Sequence, residues 1–353
     1  MRTSVRTALI ATLTLGLLAW FLRNARVNEV WREIGRAEVW LLVVALGTMV
    51  LNLGLRTVRW QYLLAPVGRV GFRNAFRATV IGFAASAVLP ARAGEFLRPY
   101  LLARREGLSA TATFATIIVE RLLDTVTVVL LVSSFVLLSN PSVAVRHSAI
   151  FEAVRIGAAL VGATAVGGLI VMFVAAGRPG ALAGGALKLE WILPGRVAHK
   201  LAKFVRMFAE GLAVVRAPRS LLAAGLLSLP LWLSIAAGTW TVALAFHIAV
   251  PFTGSFLLTA LLVLGVAVPT PGAVGGFHEA FRLGATSFYG APNDRAVGAA
   301  IVLHALSFLP VTALGLLFVV QDGLGFGGMR KLASLAAAEG GSDEVPVLRS
   351  SGR

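Results

Sequence analysis

The sequence predicts an all-α polytopic membrane protein: about six spanning helices plus two facing re-entrant (broken) helical hairpins, inverted-repeat-like in their order. Three observations predict it. Of the 353 residues 58% are apolar and only 14% charged, against about a quarter charged in an ordinary soluble domain. The mean hydropathy of +0.84 is spread along the whole length, so one signal segment on a globular body does not account for it. Two further apolar stretches are cut by proline and glycine before they reach spanning length.

Crossing about 30 Å of hydrocarbon takes roughly 20 helical residues, and six stretches come near that length: 7–23, 38–55, 113–138, 156–176, 220–246 and 296–320. The first follows Arg2 and Arg6 like a signal peptide, but it ends in Trp20-Phe21-Leu22-Arg23 instead of small residues, so it is kept as a span. Segment 56–77 carries Arg56, Arg59, Arg69, Arg73 and Arg77 without an acid and is expected to be cytoplasmic. Segment 178–219 is also strongly basic, whereas 139–155 has Arg146 and Arg155 against Glu152. Six spans with both termini cytoplasmic, in a bacterial or archaeal plasma (inner) membrane, satisfy these assignments together. Residues 1–330 form one expected membrane domain. Within it 177–219 reads as an amphipathic cytoplasmic segment, with Leu201, Phe204, Val205, Phe208 and Leu212 opposite Lys200, Lys203 and Arg206, lying on the lipid surface. Residues 331–353 are too polar to pack and are expected to be a disordered cytoplasmic tail.

The two broken stretches are 74–90, ending in Leu89-Pro90-Ala91-Arg92-Ala93-Gly94-Glu95, and 253–270, ending in Pro269-Thr270-Pro271-Gly272-Ala273-Val274-Gly275-Gly276-Phe277-His278-Glu279. A spanning 74–90 would put Arg98, Arg104 and Arg105 outside; a re-entrant hairpin avoids that, and the second stretch must then dip in from the opposite side. Short Gly/Pro-interrupted segments in corresponding places of two halves point to an inverted-repeat transporter with a midplane site. The plainer reading is that proline and glycine merely end two ordinary spans.

Charges within spans are rare and are functional candidates by default. Three groups stand out: Arg92, Glu95 and Arg98, with Gly94 allowing close backbone approach; Glu120, Arg121 and Asp124, the two acids sharing a helix face; and His278, Glu279 and Arg282, with His304 in the last span. The plainer reading of each is an internal ion pair locking helices together; it fits Glu120, Arg121 and Asp124 better than the first group, where a glycine beside an acid on a broken hairpin gains little structurally, and His304 could simply bond a neighbouring helix. The net charge of +16 comes from 32 Lys and Arg, and all but Lys188, Lys200, Lys203 and Lys331 are arginines. That bias suits anionic headgroups, though a GC-rich coding sequence produces it too. The lack of cysteine excludes disulfides, zinc–thiolate sites and thiol catalysis. Arginines in short loops between spanning-length runs argue against nucleic acid as a partner. No G-x-x-x-x-G-K-[ST], H-E-x-x-H or G-x-S-x-G is present, so the chain is expected not to be an enzyme and to need no cofactor or metal.

The run Pro90-Ala91-Arg92-Ala93-Gly94-Glu95-Phe96-Leu97-Arg98, with Val119-Glu120-Arg121-Leu122-Leu123-Asp124 downstream, Arg56-x-x-Arg59-Trp60 near the start and Pro269-Thr270-Pro271-Gly272 near the end, resembles the transmembrane region of the bacterial lysylphosphatidylglycerol synthases and their stand-alone flippase-like relatives. The resemblance covers about residues 40–320. It implies a lipid flippase-like domain with two facing re-entrant elements. Taken with the charges within spans, the candidate substrate residues are Arg56, Arg59, Pro90, Arg92, Gly94, Glu95, Arg98, Glu120, Arg121, Asp124, Pro271, Gly272, Gly275, His278, Glu279, Arg282 and His304. Only about 30 residues follow the last expected span, so the synthase activity, which belongs to a separate C-terminal domain in those proteins, is not carried over. The commoner family form has a second glycine where this chain has Ala273 and an acid where it has His278; Glu279 in a shifted register or His278 itself would do that acid's work. The expected function is an inner-membrane flippase or scramblase for an anionic phospholipid or a polyprenyl-phosphate-linked lipid. The alternative is a lipid-binding subunit that recruits or regulates an envelope glycosyltransferase; a homo-oligomer is left open.

Overall fold

The computed structural model describes residues 3–89, 92–138, 148–177, 208–209, 212–268, 270–323, 328 and 332. They form helices α1 (Thr3–Leu22), α2 (Val27–Gly35), α3 (Val39–Leu64), α4 (Phe72–Val88), α5 (Gly94–Glu106), α6 (Ala110–Leu138), α7 (Ser148–Gly177), α8 (Pro218–Ala245), α9 (Gly254–Ala267), α10 (Gly276–Tyr289) and α11 (Asn293–Gln321), and no strand. Among the described residues, α3, α6, α8 and α11 are long and apolar enough to cross a membrane. Helices α1 and α7 occupy the other two positions where spans are expected, α7 with an apolar stretch over Ala159–Val174. Large apolar side chains such as Val43, Val50, Leu226, Leu309 and Val320 are exposed on the long helices, as helices facing lipid require.

The order contains one motif twice: a long helix, a pair of short helices, and a second long helix. The first copy is α3, α4–α5, α6 and the second is α8, α9–α10, α11. Packing repeats with it. Helices α3 and α8, which begin the copies, lie against each other; α4 packs on α11 as α9 packs on α6; α5 packs on α6 as α10 packs on α11. The short arms have 17, 13, 14 and 14 residues, so at 1.5 Å per residue none exceeds about 26 Å, less than the hydrocarbon thickness.

Both pairs close in the same way. A Cβ on Gly94 would overlap the carbonyl oxygen of Gly82, and one on Gly82 would sit 2.7 Å from the Cβ of Arg98. In the second pair a Cβ on Gly276 would overlap the carbonyl of Gly265, and one on Gly265 would sit 2.8 Å from the Cβ of Ala280. Each pair therefore meets glycine to glycine, with the residue four beyond the second glycine in the same crevice. Lipid tails are as apolar as leucine, so helix association there rests on close backbone approach at small residues. The turns joining the arms use left-handed backbone: φ is 51° at Arg92, 59° at Gly272, 58° at Ala273 and 90° at Gly275. They also touch each other, because the Arg92 guanidinium donates to the carbonyl of Val266 and α4 packs on the 3-10 turn Pro271–Ala273.

The structure departs from the sequence reading in three places. Helix α3 continues to Leu64, so Arg56 and Arg59, expected in a cytoplasmic loop, are buried in a helix; Trp60, Leu63 and Leu64 continue its apolar face and acids on α6 neutralise the arginines. Helix α2, packed on α11, was not expected at all. The described end of the amphipathic segment, Leu212–Arg216, is a 3-10 turn that buries Leu212, Val214 and Val215 beside Trp60 and Leu63. The rest of that segment up to 207, residues 210–211, Pro90 and the tail beyond 332 lie outside the described residues.

Gly94→Ala should lower stability by about 3 kcal/mol, the upper range for overpacking, whereas Gly47→Ala, with open space at its Cβ, should be neutral or stabilising; thermal unfolding of the purified proteins reads both. Ala273 occupies a left-handed conformation that costs an L-residue about 1–2 kcal/mol. Ala273→Gly should therefore raise the unfolding temperature, its gain reduced to about 1 kcal/mol or less by glycine's greater freedom in the unfolded chain.

Candidate functional site

Helix α3 carries Arg56 and Arg59 on one face, α6 carries Glu120 and Asp124 on one face, and the two faces meet. Glu120 Oε1 lies 3.3 Å from Arg56 Nη1, 3.4 Å from Arg59 Nη2 and 3.1 Å from Arg98 Nη1, the last reaching in from α5. Arg59 Nη1 donates to Asp124 Oδ1 at 2.6 Å and to the Ser228 hydroxyl of α8 at 2.9 Å. Trp232 Nε1, also from α8, donates to the same Asp124 oxygen at 2.9 Å, and Arg121 Nη1 stands 3.5 Å from Oδ2. The Arg98 guanidinium lies over the Trp60 ring at 3.9 Å, and Trp60 in turn donates to the Thr116 hydroxyl at 3.0 Å. Both Arg59 and Glu120 are fully buried.

This cluster brings four guanidiniums to two carboxylates, so it is not a set of matched pairs. Arg56 Nε, Arg59 Nε and Nη2, Arg98 Nε and Nη2, and Arg121 Nε are buried without a hydrogen-bond acceptor, while on the acid side Glu120 Oε2 and Asp124 Oδ2 have no donor. Beside the cluster is a cavity of about 990 Å³. Six charged side chains line it: Arg56, Arg92, Glu95, Arg98, Arg121 and Asp124. The rest of its wall is largely apolar, with Leu53, Phe83, Val128, Leu262, Leu306 and Phe308 among the contributors from five helices. Glu95 stands 3.8 Å from Arg92, and both are partly exposed.

The candidates of the second half are placed differently. Gly272 lines the cavity; Pro271 opens the 3-10 turn; Gly275 fits against Leu17 of α1, where a Cβ would come within 2.6 Å. His278, Glu279, Arg282 and His304 are not on the cavity wall. Glu279 accepts from Arg282 Nε at 2.7 Å and from Trp20 Nε1 of α1 at 3.0 Å, and Arg282 Nη1 continues to Asn293 at 3.0 Å, which ties α10 to α1 and α11. His304 Nε2 lies 2.7 Å from the carbonyl of Gly272; a carbonyl only accepts, so Nε2 carries the proton. His278 Nδ1 accepts from the backbone N–H of Gly275 at 3.3 Å, and the two rings lie 4.4 Å apart. Both histidines thus hold the second turn from behind.

The copies differ where the chemistry differs. Arg98 occupies the crevice that Ala280 occupies in the second copy, so the arginine cluster belongs to the first copy alone. Sequence reasoning missed Trp232 and Ser228, which carry no charge and sit in an ordinary apolar run; Trp60 stood within a motif but gave no sign of stacking on Arg98.

Replacing Glu120 with glutamine leaves three buried arginines sharing one neutral oxygen. Removing one partner of a buried ion pair costs about 3–5 kcal/mol, and chemical denaturation of Glu120→Gln beside wild type should show a loss of that size. Trp232→Phe, which removes one hydrogen bond to a charged group, should cost about 1.5–3 kcal/mol in the same experiment.

Comparison with known proteins identifies the family. The family model of the lysylphosphatidylglycerol synthase TM region matches residues 5–315. The glycosyltransferase AglD of Haloferax volcanii is 30% identical over 132 residues, which are 36% of this chain and 21% of that protein. The match with that relative therefore spans about a fifth of the relative's length. Extending over most of the chain, through three of the four long apolar helices and most of the fourth, the family match leads to one conclusion: the chain is a multi-pass membrane protein belonging to the lysylphosphatidylglycerol synthase TM region family.

Proposed function

We propose that the chain moves an anionic phospholipid or a polyprenyl-phosphate-linked lipid between the leaflets of a plasma membrane, without a bond-making step or a cofactor. The observation that carries this reading is the cavity of about 990 Å³ whose wall is largely apolar yet carries four arginines. Its volume is at the upper end of small-molecule sites, and the mixture suits an amphiphile: the guanidiniums hold the phosphate, the apolar wall accepts the chain beside it. The repeated long–short–short–long order supports an alternating mechanism. With α7 as a single crossing between the copies, the second runs opposite to the first, and the two short-helix pairs re-enter from opposite sides. Arg92, bridging the turns, then sits where one gate meets the other; Glu95, Glu120 and Asp124 position the arginines.

Partial identity to a glycosyltransferase favours one second reading, a lipid-binding membrane subunit that serves an envelope glycosyltransferase without moving lipid itself. Proteoliposomes separate the two. With fluorescent phosphatidylglycerol or a polyprenyl phosphate and a membrane-impermeant quencher, wild type and Gly47→Ala should make the inner-leaflet lipid accessible. Arg98→Lys keeps the charge but loses the forked donor; losing one charge-assisted hydrogen bond of about 1.5–3 kcal/mol should slow the exchange about tenfold or more. Folded wild-type protein that binds lipid but gives no exchange supports the subunit reading.

A further inference from the structure

The site has a definite excess of charge. Among the described residues, Arg56, Arg59, Arg92, Arg98 and Arg121 face Glu95, Glu120 and Asp124. Five cations meet three anions, and leaving out the Arg92–Glu95 pair at the turn changes nothing: two positive charges remain. Arginine does not deprotonate in proteins, so this excess is not relieved by loss of a proton. An uncompensated buried charge is expensive, and Arg56 and Arg98 are among the most buried cations of the described residues, 7% and 5% exposed. The unaccepted Nε of Arg56, Nε and Nη2 of Arg98, and Nε of Arg121 add a geometric requirement: several oxygens on one group.

We propose that this site selects lipids ending in a doubly charged phosphate, a phosphomonoester or diphosphate headgroup, over phosphodiester lipids. A phosphodiester brings one negative charge and two free oxygens. A phosphomonoester brings nearly two charges at neutral pH and three acceptor oxygens; the charges match the excess, and the oxygens match Arg56, Arg98 and Arg121, the three cluster arginines on the cavity wall. The inference rests on the lipid-site reading above and narrows its substrate class. Arg121 is the cation on which the selectivity can be tested with least disturbance, because its side chain is 43% exposed while still standing 3.5 Å from Asp124.

The test titrates dioleoyl phosphatidic acid, dioleoyl phosphatidylglycerol and dioleoyl phosphatidylcholine into the purified full chain, with bound lipid read by native mass spectrometry. The two acidic lipids have the same chains; phosphatidylglycerol carries a second glycerol esterified to its phosphate and therefore one charge fewer. At about pH 8.5 the monoester carries its second charge, and one extra charge at contact distance in a partly buried site should make phosphatidic acid bind about tenfold tighter than phosphatidylglycerol, or more. Arg121→Gln lowers the excess to one and should bring that ratio close to unity with phosphatidylglycerol still bound. Inorganic phosphate, which has the charge without the chains, should displace phosphatidic acid only at far higher concentration. Equal binding of the two acidic lipids, or an unchanged ratio in Arg121→Gln, would overturn the selectivity and leave the lipid-site reading standing. Displacement by inorganic phosphate at equal concentration would replace the lipid by a soluble anion, and no binding of either acidic lipid would overturn both readings.

Discussion

Two carboxylates on one face of α6 hold together the part of the molecule on which the rest depends. Glu120 and Asp124 draw Arg56 and Arg59 of α3, Arg98 of α5 and, through Trp232, helix α8 into one contact. In a low-dielectric interior each of these charges alone would be costly. Together they fix the first short-helix pair against α3 and α6. A bilayer supplies no hydrophobic force that could do the same, so polar attraction specifies which helix meets which.

The glycine crossings complement that attraction. Gly82 with Gly94, and Gly265 with Gly276, bring paired backbones close enough that no side chain intervenes. The charged cluster can be as tight as it is because Gly82 leaves room for the Arg98 stem on the adjoining arm. The second copy shares the crossing but not the charge, and there Ala280 fills the crevice. Its ionic residues turn away from the cavity instead, joining Glu279 and Arg282 to Trp20 and Asn293 between helices. Repetition has preserved a backbone arrangement while the chemistry was placed in one half.

Asymmetry of this kind suits a molecule in which one short-helix pair bears the charged contacts and the other shapes the opposite wall. The second turn, Pro271–Ala273, presents Gly272 to the cavity and is held from behind by His304 and His278. The first turn reaches across with Arg92 to the Val266 carbonyl. That carbonyl is a neutral acceptor, a weaker partner for a guanidinium than an anion would be.

The sequence by itself determined the class and the inventory. Low charge and high hydropathy gave a helical membrane protein; the positions of Pro and Gly marked the breaks after 88 and 267 to within two residues; the spacing of Glu120 and Asp124 put both acids on one face. These are legible because they depend on local composition and helical period alone. Tertiary structure decided what those residues do. Arg56 and Arg59 count as loop cations in a charge tally, and only a partner helix carrying two acids explains why α3 runs on through them. His278 and Glu279 have the same local signature as Arg92 and Glu95, two ionisable groups beside a glycine-rich break, yet one pair lies behind a turn and the other contributes to the cavity wall. Which side of a helix meets a neighbour, and whether the neighbour brings a carboxylate or a carbonyl, is a property of contacts between residues far apart in the chain, and no local pattern records it.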